Sequence, residues 1–232
     1  MERTNAYSLL DFLDNSPCNF FATATIQRYL DDNGFQELKQ SERWNLEKGG
    51  KYYVKKNDTA IFEFVIGETP LDQSGFNMIS AHSDSPCFRI KPNPEMLADG
   101  VLKLNTEVYG GPILYTWFDR PLSLAGRVIV RNPQNPARPI TKLIDFASPV
   151  LIIPHLAIHF NRNVNAGNPL SKQKDMLPIA AIVSDSMSKN NFLIDQIKER
   201  LEIADSKDIL DFDLMLYNCQ KSQLVGFNKE FI

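Results

Sequence analysis

The chain has 232 residues, of which 43% are apolar, enough to build one large core or two small ones. Its 25 basic and 28 acidic residues leave a formal net charge of −3, which removes the electrostatic case for nucleic acid as a partner. No window approaches the roughly 18 apolar residues of a membrane span, the start Met1-Glu-Arg-Thr-Asn5 lacks a secretory apolar region, and Cys18, Cys87 and Cys219 show no CxxC spacing, so the expectation is a cytoplasmic protein with neither a membrane partner nor a disulfide framework.

Ala6, Leu9, Leu10 and Leu13 recur at i, i+3, i+4 and i+7, which predicts a short amphipathic helix ended by Asn15-Ser16-Pro17. A second helix carries Ala22, Ile26, Tyr29 and Leu30 and stops at Asn33-Gly34. The basic stretch Lys48 to Lys56 reads as part of a solvated hairpin, with Lys51–Val54 and Thr59–Ile66 as its two strands. The second of these is nearly all apolar, which predicts a strand covered on both faces. Phe76–Ala81 then reads as another apolar strand that delivers His82 at its C-terminal end, completing one α/β layer.

After Pro92-Asn93-Pro94 the texture changes. Short strands are expected at Leu102–Tyr109, Ile113–Phe118, Leu124–Val130 and Lys142–Asp145, a spacing typical of an antiparallel barrel or sandwich. Helices are expected around Ala157–Asn165 and over Asn190–Leu201, and Phe212, Leu214 and Leu216 alternate with polar neighbours as a half-buried strand. The fold class expected is therefore α/β. Residues 1–91 form the start of an α/β domain, 92–218 a mainly β second unit with helices, and 219–232 a segment returning to the first.

The chemistry-bearing residues are few. In an extended segment positions i and i+2 share a side, so His82 and Asp84 can act as a metal ligand and the carboxylate that orients its ring, although H-x-D alone is a weak pattern. His155 and His159 sit four apart, a spacing that could ligate a metal from one helix face, but Leu156 stands where an H-E-x-x-H site has its glutamate, and an amphipathic helix whose histidines hydrogen-bond locally is the preferred reading. Cys87 with His159 is a third pairing, against which stands the ordinary reading of Cys87 as a buried structural residue. No phosphate-loop pattern follows Gly110-Gly111, and Trp117-Phe-Asp-Arg-Pro121 reads as an aromatic strand end entering a turn.

The segment Ser80-Ala-His-Ser-Asp-Ser-Pro-Cys-Phe-Arg-Ile-Lys-Pro92 closely resembles the histidine motif of the M18 metallo-aminopeptidases, the family of aspartyl aminopeptidase. Glu107-Val-Tyr-Gly-Gly111, Thr116-Trp-Phe-Asp-Arg120, Leu122-Ser-Leu-Ala-Gly-Arg127, Ile153-Pro-His-Leu-Ala-Ile-His159 and Gly226-Phe-Asn-Lys-Glu-Phe-Ile232 match in the same order, and Leu10-Asp-Phe-Leu-Asp-Asn-Ser-Pro17 is similar to the family's first helix. The resemblance implies a zinc peptidase acting on peptide substrates. Two ions, for which other divalent metals could substitute, would polarise the scissile carbonyl and activate water, removing one residue from a free N-terminus. It implies His82 as a ligand to one metal and Asp84 as its hydrogen-bonded partner. It also implies that the β-rich unit pairs subunits into a larger homo-oligomer, with His159 reaching a neighbouring subunit's site to contact substrate and stabilise the oxyanion.

The family's other ligands and its general-base glutamate lie downstream of the segment matched by Gly226–Ile232, so of the metal shell only His82 carries over. The resemblance therefore implies an N-terminal half, inactive alone, whose sheet edge and apolar face need another segment or another copy to cover them. The contrasting expectation is a non-catalytic module that works by self-association.

Overall fold

The computed structural model describes residues 4–184 and 190–232. The chain divides into two compact units, Met1–Ser85 with Ser222–Ile232, and Pro86–Lys221.

The first unit opens with α1 (Thr4–Asp14) and α2 (Asn19–Asp32), as the apolar periodicity predicts. The faces differ in fate. α2 buries Phe20, Ala22, Thr23 and Leu30, whereas on α1 Leu9 and Leu13 remain exposed. Three strands follow: β1 (Gln36–Glu37), β2 (Lys51–Lys56) and β3 (Ala60–Val65), with β1 parallel and β3 antiparallel to β2. Asn57 and Asp58 turn the hairpin with φ of 53° and 55°, a left-handed conformation that Asn and Asp tolerate, and Thr59 N–H closes the turn on Lys56 O at 3.1 Å. Tyr52, Tyr53 and Val54 are buried, and Tyr53 Oη donates to Asp31 Oδ1 at 2.8 Å, clamping α2 to the sheet.

Two expectations for this unit are corrected. β3 is not covered on both faces: among the described residues it pairs with β2 alone, at the edge of the sheet, and its Phe62 and Val65 are more than half exposed. Phe76–Ala81, which follows the four-residue helix α3 (Leu71–Ser74), is not a strand, because among the described residues no backbone partner reaches it.

In the second unit six strands run in the order β7-β6-β9-β4-β5-β8, all paired antiparallel. They are β4 (Cys87–Ala98), β5 (Val101–Tyr109), β6 (Leu122–Val130), β7 (Ile140–Asp145), β8 (Ile179–Ile182) and β9 (Ile209–Asn218). The segment at Leu151 and Ile152 bridges Leu122 on one side and Ile179 on the other, closing the sheet into a barrel-like ring. Inside lie Phe88, Leu102, Leu104, Leu124, Val128, Leu214 and Leu216, and Leu193 and Ile197 of α4 (Phe192–Arg200) belong to the same core. Glu95 Oε1 accepts from the Leu193 N–H at 3.0 Å, a carboxylate at the positive end of the helix.

Pro92 and Pro94 lie inside β4 and do not mark a break. The register shifts between Ile90 and Glu95, and such an irregularity accepts residues that cannot donate to the ladder. Two further predicted elements differ. Ile113–Phe118 holds a 3₁₀ turn (Leu114–Trp117) where a strand was expected. Ala157–Asn165 forms successive turns where a helix was expected, with Phe160 N–H bonding Ala157 O and Asn161 N–H bonding Ile158 O; Asn161, Asn163 and Asn165 are turn formers. Among the described residues no helix is long and apolar enough to cross a membrane.

Candidate metal centre

His82 sits in the loop between Phe76–Ala81 and β4. This loop is tied to the β2–β3 hairpin at Ser83, whose Oγ donates to the carbonyl of Thr59 at 2.7 Å, just before β3 begins. His82 and Asp84 flank that anchor and meet, Nδ1 to Oδ1, at 2.9 Å. An ionised carboxylate only accepts, so the neutral ring carries its proton on Nδ1 and the lone pair lies on Nε2. The His82 side chain is 91% exposed while that of Asp84 is 31% exposed, so the ring projects outward from a carboxylate that is itself held in. A histidine prepared as a metal ligand has this form, with one nitrogen fixed by a carboxylate and the other open.

The pair by itself is an incomplete cation site. A catalytic zinc normally takes three protein ligands, and among the described residues no group of three His, Cys, Asp or Glu side chains is arranged to hold one. The donor chemistry fits zinc, and the donor number does not complete its shell.

His155 and His159 belong to the second unit and are not brought together on one helix face. His155 is anchored: its N–H donates to Asp119 Oδ1 at 2.9 Å, Nδ1 lies 2.9 Å from Leu156 O, and its ring meets Phe118 edge-on at 4.6 Å. Local bonding thus accounts for His155. His159 is exposed in the turn that follows, beside exposed Leu156, Ile158 and Phe160. Asp119, with φ of 55°, is the residue that holds this arm: its own N–H also bonds Ile153 O at 3.0 Å. Sequence reasoning passed over both Asp119 and Ser83, since their partners are distant in sequence. Asp119 gave one local signal, its place in an Asp-Arg-Pro turn.

Cys87 is buried at the start of β4, and burial pushes the Cys219 thiol up, away from the thiolate form.

A sequence profile described as "Aminopeptidase I zinc metalloprotease (M18)" matches residues 12–232. The chain belongs to the M18 family. An M18 relative from Clostridium novyi, "Probable M18 family aminopeptidase 2", is 51% identical over 98% of this chain and 52% of its own length. The structure of mApe1 from Chaetomium thermophilum superposes with a TM-score of 0.85 at 30% identity, covering 98% of this chain and 53% of that one. The mApe1 dodecamer of Saccharomyces cerevisiae superposes at 0.79 with 22% identity over 97% of this chain and 50% of that one, a likeness of fold. The chain spans about half the length of the M18 relatives it matches. Its mixed α/β architecture is thus that of the corresponding part of an M18 aminopeptidase, a zinc metalloprotease family.

Proposed function

We propose that this chain contributes the N-terminal half of a zinc aminopeptidase, with His82 as a metal ligand through Nε2 and Asp84 as the carboxylate that sets its tautomer. The observation that carries the reading is the 2.9 Å contact between His82 Nδ1 and Asp84 Oδ1 under an outward-facing ring. Bound zinc supplies a Lewis acid that polarises a peptide carbonyl and makes water a nucleophile near neutral pH. The chain's own residues orient and hold. Ser83 fixes the loop, Asp84 keeps the Nδ1 proton, and His82 presents a lone pair of defined direction.

This chain spans about half the length of its relatives, and on this reading the remaining ligands, the second ion and the general-base glutamate come from a segment corresponding to their other half, without which the site is incomplete. The first unit, Met1–Ser85 with Ser222–Ile232, serves the catalytic domain, and the second, Pro86–Lys221, which takes in nearly all of the 92–218 expected to do so, serves assembly into a homo-oligomer; a yeast relative of the same fold is a dodecamer. His159, on its exposed turn, reaches a neighbouring subunit's site and donates a hydrogen bond to the oxyanion of the N-terminal peptide bond under attack. The cytoplasm suits a chain in which no disulfide joins Cys18, Cys87 or Cys219.

A second reading, self-association without catalysis, draws on exposed Leu156, Ile158 and Phe160 around His159. The two readings separate in the full-length polypeptide with an aminoacyl anilide as substrate. Chelator-sensitive hydrolysis supports the aminopeptidase, whereas stable oligomers with neither zinc nor hydrolysis support the module. In the same assay His159→Ala retains zinc and assembly and loses kcat by about 10²–10³-fold. An unchanged kcat would leave His159 a turn residue only.

A further inference from the structure

The turns that carry His159 are held at both ends by one short segment of the same unit. Leu114, Trp117 and Phe118 of that segment pack against the barrel core, which leaves Tyr115 and Asp119 exposed. Asp119 Oδ1 accepts from the His155 N–H at 2.9 Å, where the chain has just left buried Ile153. Tyr115 Oη donates to the carbonyl of Asn168, where the chain returns toward Leu170 and the core. Phe118, meeting the His155 ring edge-on at 4.6 Å, adds to the first hold.

Between these two points the arm is built from local bonds. Phe160 N–H bonds Ala157 O, Asn161 N–H bonds Ile158 O, Val164 N–H bonds Asn161 O and Ala166 N–H bonds Asn163 O. Bonds of this kind shape a turn without fixing where it points. Leu156, Ile158, His159 and Phe160 are exposed, so packing adds little restraint, and the direction of His159 is set by the two ends. An aspartate with φ of 55° is also an ordinary turn former, but a turn former needs no bond to a backbone 36 residues away.

We infer that Asp119 and Tyr115 are positioning residues for the reaction, acting through His159 by fixing the two ends of its arm. The inference rests on the reading of His159 as a donor to the oxyanion. Such a donor works only within hydrogen-bond reach of the developing charge, and a displacement of about 1 Å costs about 10²-fold in rate.

The test uses the full-length polypeptide with an aminoacyl anilide and reads kcat, KM, zinc content and oligomeric state. Asp119→Gly, Asp119→Asn and Tyr115→Phe are measured alone, and the first and third also together with His159→Ala. Glycine keeps the left-handed backbone and removes the carboxylate, whereas asparagine keeps the backbone and an acceptor oxygen. Asp119→Gly and Tyr115→Phe are each expected to lower kcat by about 10-fold or more, with zinc and assembly retained and KM changed by less than about twofold, while Asp119→Asn stays near wild type. In the His159→Ala background neither substitution lowers kcat further, because residues acting through one group are not additive. A wild-type kcat in Asp119→Gly or Tyr115→Phe, beside a reduced one in His159→Ala, would overturn the inference and leave the reading of His159 standing. Losses that multiply with that of His159→Ala, or an equal loss in Asp119→Asn and Asp119→Gly, would also overturn it. An unchanged kcat in His159→Ala would overturn both.

Discussion

Replacing Tyr53 by Phe removes one oxygen from the first unit and tests how its helix and sheet are held. Tyr53 is 1% exposed and its hydroxyl donates to Asp31 Oδ1 at 2.8 Å. Hydrogen bonds to charged groups contribute about 1.5–3 kcal/mol, and exposed Asp31 recovers water when the bond is lost, so the expected cost at pH 7 is about 1–1.5 kcal/mol. The hydroxyl also carries a pH signature. Burial, and then the bond to Asp31, pushes Tyr53 up from 10.0 to about 12. The folded state therefore keeps a proton that the unfolded state gives up, so stabilisation is fully present below pH 10 and lost as pH rises toward about 12. Phe carries no such proton, so the stability gap between the two proteins narrows as pH rises above 10. Of the two tryptophans, Trp44 reports on this unit, and urea titration followed by its fluorescence in a Trp117→Phe background measures both effects. Equal stabilities at pH 7, or a gap that is the same at pH 7 and pH 11, would refute the reasoning.

In the second unit Phe88→Ala removes a fully buried ring that meets Trp117 edge-on at 4.9 Å; a loss of about 3–5 kcal/mol is expected, with Trp117 fluorescence changing while Trp44 does not. A loss below about 1 kcal/mol would show that Phe88 is not part of the core of the second unit. Asp84→Ala in the full-length polypeptide keeps His82 but frees its ring, and zinc affinity by competition with a chelating dye should fall about 10–100-fold. Unaltered affinity would remove Asp84 from the site.

The elements legible in the sequence were those whose partners are internal or near. α1, α2 and α4 declare themselves by apolar spacing, β9 by alternation, and the β2–β3 hairpin by Asn57-Asp58. The i, i+2 spacing of His82 and Asp84 allowed them to share a side in an extended strand, whereas their contact is made in a loop that bends at Ser83. What failed depends on context. Phe76–Ala81 has the composition of a strand but, among the described residues, no backbone partner to make it one, and Pro92 and Pro94 break local propensity while a register shift absorbs them. The apolar spacing of the His159 region mimics a helix, but three asparagines and the clasp of Asp119 on the backbone ahead of it draw the chain into turns. Ser83 was illegible for the same reason, since nothing near it announces the Thr59 carbonyl 24 residues earlier.

The most direct test of the central claim is the zinc content of the full-length polypeptide carrying His82→Ala, measured by plasma mass spectrometry on the assembled protein and compared with wild type. The account predicts a loss of zinc together with loss of turnover and no change in assembly. Wild-type zinc stoichiometry in the variant would contradict it.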